Sequence, residues 1–126
     1  MNENSLFKKT VVVLGASPNP DRYSHKAVKS LIKRNYHVIA VGKRQGEIQN
    51  ISIVTGKPDI KNVYTILMYI GPKNQPEYYD YILRLNPKRI IFNPGTENYE
   101  LGNLAAKNNI ECIFECALVM LNDRTF

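Results

Sequence analysis

The chain has 126 residues, of which 44% are hydrophobic and 22% are charged, and its formal net charge is +6. This length and composition fit one globular domain and exclude a disordered chain or a disulfide scaffold, and no apolar run approaches the roughly 20 residues that span a bilayer. The basic balance, with an isoelectric point near 9.4, favours an anionic partner without identifying the anion.

The first half of the chain predicts one β-α-β unit. Residues 10–14 form a β-branched apolar run, which is typical of a strand buried on both faces of a parallel sheet. Apolar residues then recur at helical spacing over residues 27–32, with Ser24 as the expected N-cap. Asn35 suits a left-handed helix end, and residues 37–41 predict a second buried strand.

The second half repeats this alternation less regularly. Strands are predicted at residues 51–54, 63–70, 89–92 and 110–114, and helices at residues 75–85 and 97–108. Parallel strands need crossover connections, and such crossovers are right-handed. The sequence therefore predicts an α/β fold, a single doubly wound Rossmann-like domain over residues 1–126, with a parallel sheet and helices on both faces.

Two features bear on location. Residues 1–9 contain no apolar segment of signal-peptide length, so we expect no secretory export. Cys112 and Cys116 are four positions apart, which is neither a redox dithiol spacing nor a zinc knuckle with a second ligand pair. We expect reduced, buried or half-buried thiols and a soluble cytoplasmic protein.

The ends of the strands indicate where a ligand would bind, because open α/β sheets bind ligands beyond the carboxyl ends of their strands. Four predicted loops lie there: residues 15–23, 42–46, 69–73 and 93–97. The first has about nine residues, against two to six in ordinary βα loops, and it leads into a helix N terminus that can attract phosphate. Gly15 permits a close backbone approach, while Ser17, Arg22 and Ser24 offer donors.

Missing glycines narrow the identity of the ligand. A dinucleotide site needs G-x-G-x-x-G, but Ser17 and Pro20 hold the second and third glycine positions. An NAD site usually has an acidic residue after the second strand, whereas this chain has Gly42, Lys43 and Arg44. Two adjacent cations suit a ribose phosphate. Two ligands therefore remain open: coenzyme A, through its 3′-phosphate, and NADP in an oxidoreductase-like protein, through its 2′-phosphate.

The segment LGASPNPDRYS, residues 14–24, resembles the V-G-A-S-x-N-P-x-R-x-S motif of the small coenzyme A-binding domain family. These proteins are stand-alone relatives of the nucleotide domain in the succinyl-CoA synthetase α subunit. The similarity covers nearly the whole chain, including Y-x-V-I-x-V at residues 36–41, G-x-x-N at residues 95–98 and the near-terminal Cys116. The chain departs from the family after the second strand, where Gly42 and Lys43 replace asparagine and proline.

The resemblance implies non-catalytic or accessory binding of coenzyme A or an acyl-CoA, because the synthetase's catalytic histidine lies in a following domain. It places residues 15–17 against the phosphates or ribose, residues 42–44 near the 3′-phosphate, and residues 69–72 beside the adenine or the pantetheine arm. The complete predicted site, including the strand-end loops, is Gly15, Ala16, Ser17, Asn19, Arg22, Tyr23, Ser24, Gly42, Lys43, Arg44, Tyr69, Gly71, Pro72, Asn93 and Gly95.

No catalytic constellation is evident in the sequence. Cys116 is the one nucleophile candidate and has no histidine near it in sequence, while His25 is expected on the surface and His37 at a strand edge. A group of tyrosines resembles a nucleic-acid stacking surface, but Tyr78 and Tyr81 fall on an apolar helix stripe, which favours core packing. We expect a small nucleotide cofactor as the partner, no metal, no nucleic acid and no membrane; the sequence identifies no protein partner.

Overall fold

The computed structural model describes residues 9–126, and the first eight residues, on which the expectation of no secretory leader rests, lie outside the described part. The strands are β1 (Thr10–Leu14), β2 (His37–Val41), β3 (Glu47–Ile48), β4 (Ile51–Val54), β5 (Val63–Met68), β6 (Arg89–Phe92) and β7 (Glu111–Ile113). The helices are α1 (Tyr23–Lys33), α2 (Tyr79–Leu85), α3 (Tyr99–Lys107) and α4 (Ala117–Asp123), and two 3₁₀ turns lie at Pro72–Asn74 and Pro76–Tyr78.

The strands form one seven-stranded sheet in the order β3-β4-β2-β1-β5-β6-β7. All neighbouring strands are parallel except β3 and β4, which pair antiparallel. The chain runs from β1 to β2 on one side and later places β5 on the other side. The strand order therefore reverses at β1, and its carboxyl end is the point where such sheets bind ligands. The predicted Rossmann-like α/β sheet is confirmed.

Helices cover both faces of the sheet. On one face α1 and α4 pack over Val11 and Val13, and on the other face α2 and α3 pack over Val12 and Leu14. This alternation within β1 is the period of two expected for a strand buried on both sides. The four side chains are at most 1% exposed. Each contributes roughly 1.5–3 kcal/mol by burial, so β1 is held firmly and its carboxyl end is a rigid platform.

None of the helices in residues 9–126 is both long enough and apolar enough to cross a membrane.

The start of α1 differs from the prediction. Arg22 occupies the N-cap position in an extended conformation and makes no side-chain capping bond, whereas Ser24 lies buried in the first turn. The prediction that Ser24 caps the helix is therefore wrong, and the first-turn N–H groups have no capping side chain. At the other end of the helix, Asn35 has a φ of 65°, which confirms the predicted left-handed helix end.

Two predicted helices begin later than their apolar patterns indicate. The pattern over residues 75–85 includes Pro76, which begins a 3₁₀ turn before α2 starts, because proline has no N–H and suits the first position of a turn. The helix predicted from residue 97 starts after Asn98, whose side chain accepts a hydrogen bond from the N–H of Leu101 at 3.1 Å. This bond is a conventional N-cap.

Two elements were not predicted at all. Strand β3 has only two residues, which is too short for a periodic pattern. Helix α4 begins with the continuous apolar run ALVML, in which no polar alternation marks a helix. Its buried residues Ala117, Met120 and Leu121 pack in the same core cluster as α1. Strand β5 also ends two residues earlier than predicted, at Met68.

Candidate functional site

A cleft of about 470 Å³ opens at the carboxyl ends of β1, β2 and β5. Its volume lies within the range of small-molecule sites. The structure brings 12 of the predicted residues together around it, namely Gly15, Ala16, Ser17, Asn19, Arg22, Tyr23, Ser24, Gly42, Lys43, Arg44, Tyr69 and Gly71. Six further residues complete the lining: Leu14, Pro18, Val41, Ile70, Asn74 and Tyr78.

Three predicted residues lie outside the lining of this cleft. Pro72 is exposed and begins the first 3₁₀ turn. Asn93 is only 3% exposed, and its side chain donates to the Met68 carbonyl at 3.0 Å and accepts from the Ala117 N–H at 2.8 Å. Gly95 is exposed with a φ of 92°. Asn93 therefore joins the end of β5 to the start of α4, and its position is explained by this bonding alone.

The sequence prediction missed Asn74 and Tyr78, which belong to the wall that follows β5. Both lie in or beside the two 3₁₀ turns, within a stretch that the apolar stripe assigned in part to a helix. Two prolines, Pro72 and Pro76, were the available signal. Prolines this close together favour an irregular loop, and a longer loop supplies more wall to the cleft.

Gly15 turns the chain sharply at the end of β1. Its φ is 102°, and a Cβ at this position would lie 3.0–3.1 Å from atoms of Tyr69 and Ile70. Both the conformation and the space therefore require glycine. The N–H groups of Gly15 and Ala16 donate to the Val41 carbonyl at 2.8 and 2.9 Å. These two amides are already paired, so a bound anion would need other donors.

The loop after Gly15 is shaped by its own polar side chains. The N–H of Asn19 donates to the Ser17 hydroxyl at 3.1 Å, and the N–H of Asp21 donates to the Asn19 side chain at 3.0 Å. His25 lies 2.9 Å from the Ser17 carbonyl through Nδ1, which must carry the proton because a carbonyl only accepts. His25 is 8% exposed, so the expectation of a surface histidine is wrong. It ties the loop to α1.

The first turn of α1 faces the cleft through Arg22, Tyr23 and Ser24. A helix N terminus carries a partial positive charge and free N–H groups, and this one has no acidic residue in its first turn. Within residues 9–126 the Ser24 hydroxyl makes no hydrogen bond. The turn therefore offers unpaired donors to an anion.

The loop after β2 packs tightly against the loop after β1. A Cβ on Gly42 would collide with the Ala16 carbonyl oxygen, so the two loops approach at a distance that only glycine permits. This approach places the exposed side chains of Lys43 and Arg44 on the cleft. Among the described residues neither makes an ion pair or a hydrogen bond through its side chain. With Arg22, the cleft has three cations and no carboxylate in its lining.

The opposite wall is anchored by Gln75, which is fully buried. Its Nε2 donates to the carbonyls of Ile70 and Thr96, both at 2.8 Å, and its Oε1 accepts from Asn98 at 2.9 Å. Gln75 thus fastens the loop after β5, which includes the cleft residue Ile70, to the segment before α3. No sequence pattern singles it out, because its role depends on partners 5 to 23 residues away.

A family model for the CoA binding domain matches residues 9–122. The chain belongs to the CoA-binding domain family. The resemblance stated from residues 14–24 is thereby confirmed. A search of curated proteins found no match.

Solved structures show the same fold. A crystal structure of an uncharacterised protein is 44% identical with a TM-score of 0.92, over 94% of this chain and 98% of the other. A Thermus thermophilus protein is 22% identical with a TM-score of 0.83, over 100% of both chains. The dinucleotide-forming acetyl-coenzyme A synthetase 1 of Ca. Korarchaeum cryptofilum, solved with phosphate and ADP, is 14% identical with a TM-score of 0.72, over 90% of this chain and 27% of the synthetase.

In this CoA-binding domain, Tyr69 directly follows β5 and lines the cleft. Its hydroxyl is buried and has no hydrogen-bond partner among the described residues. Burial, with a smaller contribution from the charge of nearby Cys116, raises the pKa of the Tyr69 phenol above its ordinary value of 10.0.

Cys112 and Cys116 are free and half-buried, as predicted. Tyr81 is 1% exposed, which agrees with the core packing expected for it.

The side chains of the cleft can donate hydrogen bonds and offer positive charge to a ligand. The lining contains hydroxyls, amides and cations but no carboxylate, imidazole or thiol. In the part of the chain that the structure describes, no three His, Cys, Asp or Glu residues are grouped so that they could hold a metal ion. The residues present therefore suit an anionic ligand.

Proposed function

We propose that the cleft binds coenzyme A or an acyl-CoA and that the protein acts as a binding module. The observation that carries this proposal is the position of Lys43 and Arg44, which share one cleft with the first turn of α1 and have no side-chain partner within residues 9–126. The cleft thus offers two separate groups of anion-binding donors. Coenzyme A needs two, one for its diphosphate and one for its 3′-phosphate. Membership of the CoA-binding domain family supports this choice of nucleotide.

We assign the diphosphate to the first turn of α1. Its free N–H groups, the Ser24 hydroxyl and the Arg22 guanidinium are donors on one side of the cleft. Gly15 and Ala16 contribute shape rather than donors, because their N–H groups are bonded to Val41. The resemblance implied that these two residues lie against the phosphates or the ribose, and we propose that they do so without donating hydrogen bonds.

The 3′-phosphate is assigned to Lys43 and Arg44. An ammonium group and a planar guanidinium are both suited to a phosphate dianion. Both side chains are exposed, so binding would order two flexible side chains, and the net gain is smaller than for a preformed site.

The pantetheine arm is assigned to the wall after β5. An added Cβ on Gly71 would meet no atom within 4 Å, so open space lies beside it. Asn74 is an exposed amide on the same wall, and Tyr69 lies beneath. Amides of a pantetheine arm can pair with such a side chain. Gly71 and Asn74 thus supply room and a polar partner.

A role as a module, rather than as an enzyme, is supported by the side chains that line the cleft. None of them is a carboxylate, an imidazole or a thiol, which are the usual acids, bases and nucleophiles. The similarity to the Korarchaeum synthetase covers 27% of that larger enzyme. A domain of this fold can therefore be one part of a larger catalytic assembly.

The sequence left NADP open as the ligand, since Lys43 and Arg44 also suit a 2′-phosphate. Ser17 and Pro20 in place of two fingerprint glycines weigh against a dinucleotide, and the matching family binds CoA. Coenzyme A is therefore the proposed ligand, and NADPH is the competitor to include in any test.

Isothermal titration of the purified protein with coenzyme A, dephospho-coenzyme A and NADPH tests the proposal. Coenzyme A should bind most tightly. Dephospho-coenzyme A should bind at least roughly tenfold more weakly, because hydrogen bonds to a charged group contribute about 1.5–3 kcal/mol. Tighter binding of NADPH would overturn the choice of cofactor, and absence of coenzyme A binding would overturn the proposal altogether.

A double variant separates the two phosphate assignments. Lys43→Gln/Arg44→Gln should bind coenzyme A and dephospho-coenzyme A with equal affinity, since the donors that distinguish them are gone. The matched control is Lys29→Gln/Lys33→Gln, which removes the same charge from exposed positions of α1 outside the cleft. If the double variant still prefers coenzyme A as strongly as the native protein, Lys43 and Arg44 do not hold the 3′-phosphate.

A further inference from the structure

The amino ends of the strands, opposite the cleft, form a second cationic region. A cavity of about 290 Å³ lies there, and a neighbouring cavity of about 910 Å³ shares Lys9, Tyr36 and Tyr64 with it. We call the two together the amino-end groove, whose characteristic residues are Lys9, Tyr64, Arg89 and Phe126 around the smaller cavity and Lys61 and Lys88 around the larger one.

The amino-end groove and the cleft together account for the net charge of the protein. Four cations line the groove and three line the cleft, and none of the described Asp or Glu residues lines either. These seven belong to a total of 17 Lys and Arg residues, so the other ten are slightly outnumbered by the 11 Asp and Glu residues. The charges outside the two linings therefore sum to −1.

Arg89 is the fixed element of the groove. Its Nε donates to the Oγ1 of the fully buried Thr65 at 2.8 Å. Its Cζ lies 4.6 Å from the centroid of the Phe126 ring and 5.5 Å from that of Tyr64. The terminal guanidinium nitrogens have no partner within residues 9–126. Arg89 therefore presents a pre-positioned planar fork, the geometry that binds oxyanions in bidentate fashion.

A second cation lies close to the Tyr64 ring, and no described carboxylate is paired with it. The Nζ of Lys9 is 3.9 Å from the centroid of Tyr64, whose ring Arg89 also contacts. Glu111 is the register partner of Arg89 on β7, yet it lines neither cavity and makes no ion pair in the described part of the chain. Two cations gathered around one aromatic ring with no counter-ion form a site that an anion would stabilise.

We infer that the amino-end groove binds the phosphate groups of a small anionic molecule, a site separate from the coenzyme cleft. Arg89 supplies the bidentate donor, and the ammonium groups of Lys9, Lys61 and Lys88 supply flanking charge. Four cations exceed what one carboxylate needs and match a ligand with several phosphate charges. The inference does not depend on what the cleft binds.

The test uses the ¹⁵N-labelled full chain carrying Lys43→Gln/Arg44→Gln, so that the two rim cations of the cleft do not compete for the probe. Titration with inorganic triphosphate should give saturable shifts at the amides of Tyr64, Arg89 and Phe126. Adding Arg89→Gln should weaken the affinity by roughly tenfold, as expected for loss of a charge-assisted hydrogen bond. Arg89→Lys should recover only part, because it keeps the charge and loses the fork.

Controls distinguish this site from general attraction. Lys107→Gln removes an exposed charge at the end of α3, outside both linings, and should leave the affinity unchanged. If Arg89→Gln proves unfolded, Lys9→Gln replaces it and should weaken binding severalfold. Shifts confined to residues 15–24, equal effects of Lys9→Gln and Lys107→Gln, or no saturation would overturn the inference. Tighter binding of citrate or of a single-stranded oligonucleotide than of triphosphate would overturn the assignment to small phosphorylated molecules.

Discussion

The two ends of the sheet carry similar charge but hold it differently. At the carboxyl end, Lys43 and Arg44 are exposed on a loop and have no side-chain partner within residues 9–126. At the amino end, Arg89 belongs to a strand and is fixed by Thr65 and Phe126. Side chains on a loop can adapt to a ligand but lose entropy when they bind, whereas a fixed side chain has already lost it. The comparison indicates an adaptable site at one end and a pre-organised one at the other.

At the carboxyl end of the sheet, the loop backbones are held in place although the side chains of Lys43 and Arg44 are exposed. Gly15 and Gly42 bring the loops after β1, β2 and β5 into contact, and Gln75 fastens the remaining wall. Substitutions at these positions should affect the cleft and leave the amino-end groove unchanged.

Gln75→Leu should have the largest effect. It leaves the carbonyls of Ile70 and Thr96 without their donor, and the Asn98 amide keeps only its hydrogen bond to the Tyr79 hydroxyl. Each unsatisfied buried group costs about 1–3 kcal/mol, so the free energy of unfolding should fall by about 3 kcal/mol in urea titrations. Coenzyme A binding should weaken, while triphosphate binding at the amino-end groove should not change.

The control for this variant is Gln45→Leu, because Gln45 is exposed and its side chain has no partner in the described residues. It should change stability by no more than about 0.5 kcal/mol. A loss at Gln75 no larger than at Gln45 would show that the buried amide network does not hold the cleft wall.

Gly42→Ala should destabilise the protein by about 2 kcal/mol, because the new Cβ would collide with the Ala16 carbonyl and force the two loops apart. Separation of the loops should also weaken coenzyme A binding, since Lys43 and Arg44 would move away from α1. Gly71→Ala is the matched control: it too lines the cleft, but its added Cβ meets no atom within 4 Å. Equal unfolding free energies for the two variants would refute the close-approach argument.

The overall architecture was predictable because buried parallel strands leave continuous apolar runs at residues 11–14, 38–41 and 90–92. The cleft was predictable to the extent that its residues follow those strands. Helix α4 was missed because its exposed face carries an apolar residue, Val119, so no polar period marks the helix. Local patterns therefore specified the layers of the fold but not every element within them.

The parts of the site that the sequence did not predict depend on distant contacts. Gln75 is identifiable only from partners on other loops, and His25 is buried because it bonds to Ser17 in the preceding loop. The pairing of the Gly15 and Ala16 amides with Val41 is likewise invisible in a one-dimensional pattern. Residue type and position after a strand indicated where the site lies, while tertiary hydrogen bonding decided which groups remain free to bind.

Tyr69→Phe should raise the free energy of unfolding by about 1 kcal/mol at neutral pH, since it removes a buried hydroxyl with no partner in the described residues. Folding raises the pKa of the Tyr69 phenol above 10.0, so the folded state holds this proton more tightly than the unfolded state does. The stability that this difference contributes is complete below pH 10 and is lost as the pH rises further. That loss is about 1.4 kcal/mol per pH unit. The variant should lack this share of the alkaline decline.

Denaturation at pH 8 and at pH 11 measures both effects, with Tyr23→Phe as the control because Tyr23 is 69% exposed. A loss of stability in Tyr69→Phe at pH 8 would mean that the hydroxyl makes a stabilising hydrogen bond. An unchanged alkaline decline would mean that Tyr69 does not contribute to it.

Phe126→Ala should lower the free energy of unfolding by about 1 kcal/mol, because the half-buried ring packs edge-on against Tyr36 and against the core as well as over Arg89. Triphosphate affinity at the amino-end groove should fall by about two- to threefold, and coenzyme A affinity should not change. Phe126→Leu separates the two contributions of the ring. Leucine keeps apolar contact but cannot attract the guanidinium through a π face, so it should restore stability without restoring affinity. If leucine restores both, shape alone positions Arg89, and the amino end is pre-organised by packing rather than by cation–π attraction.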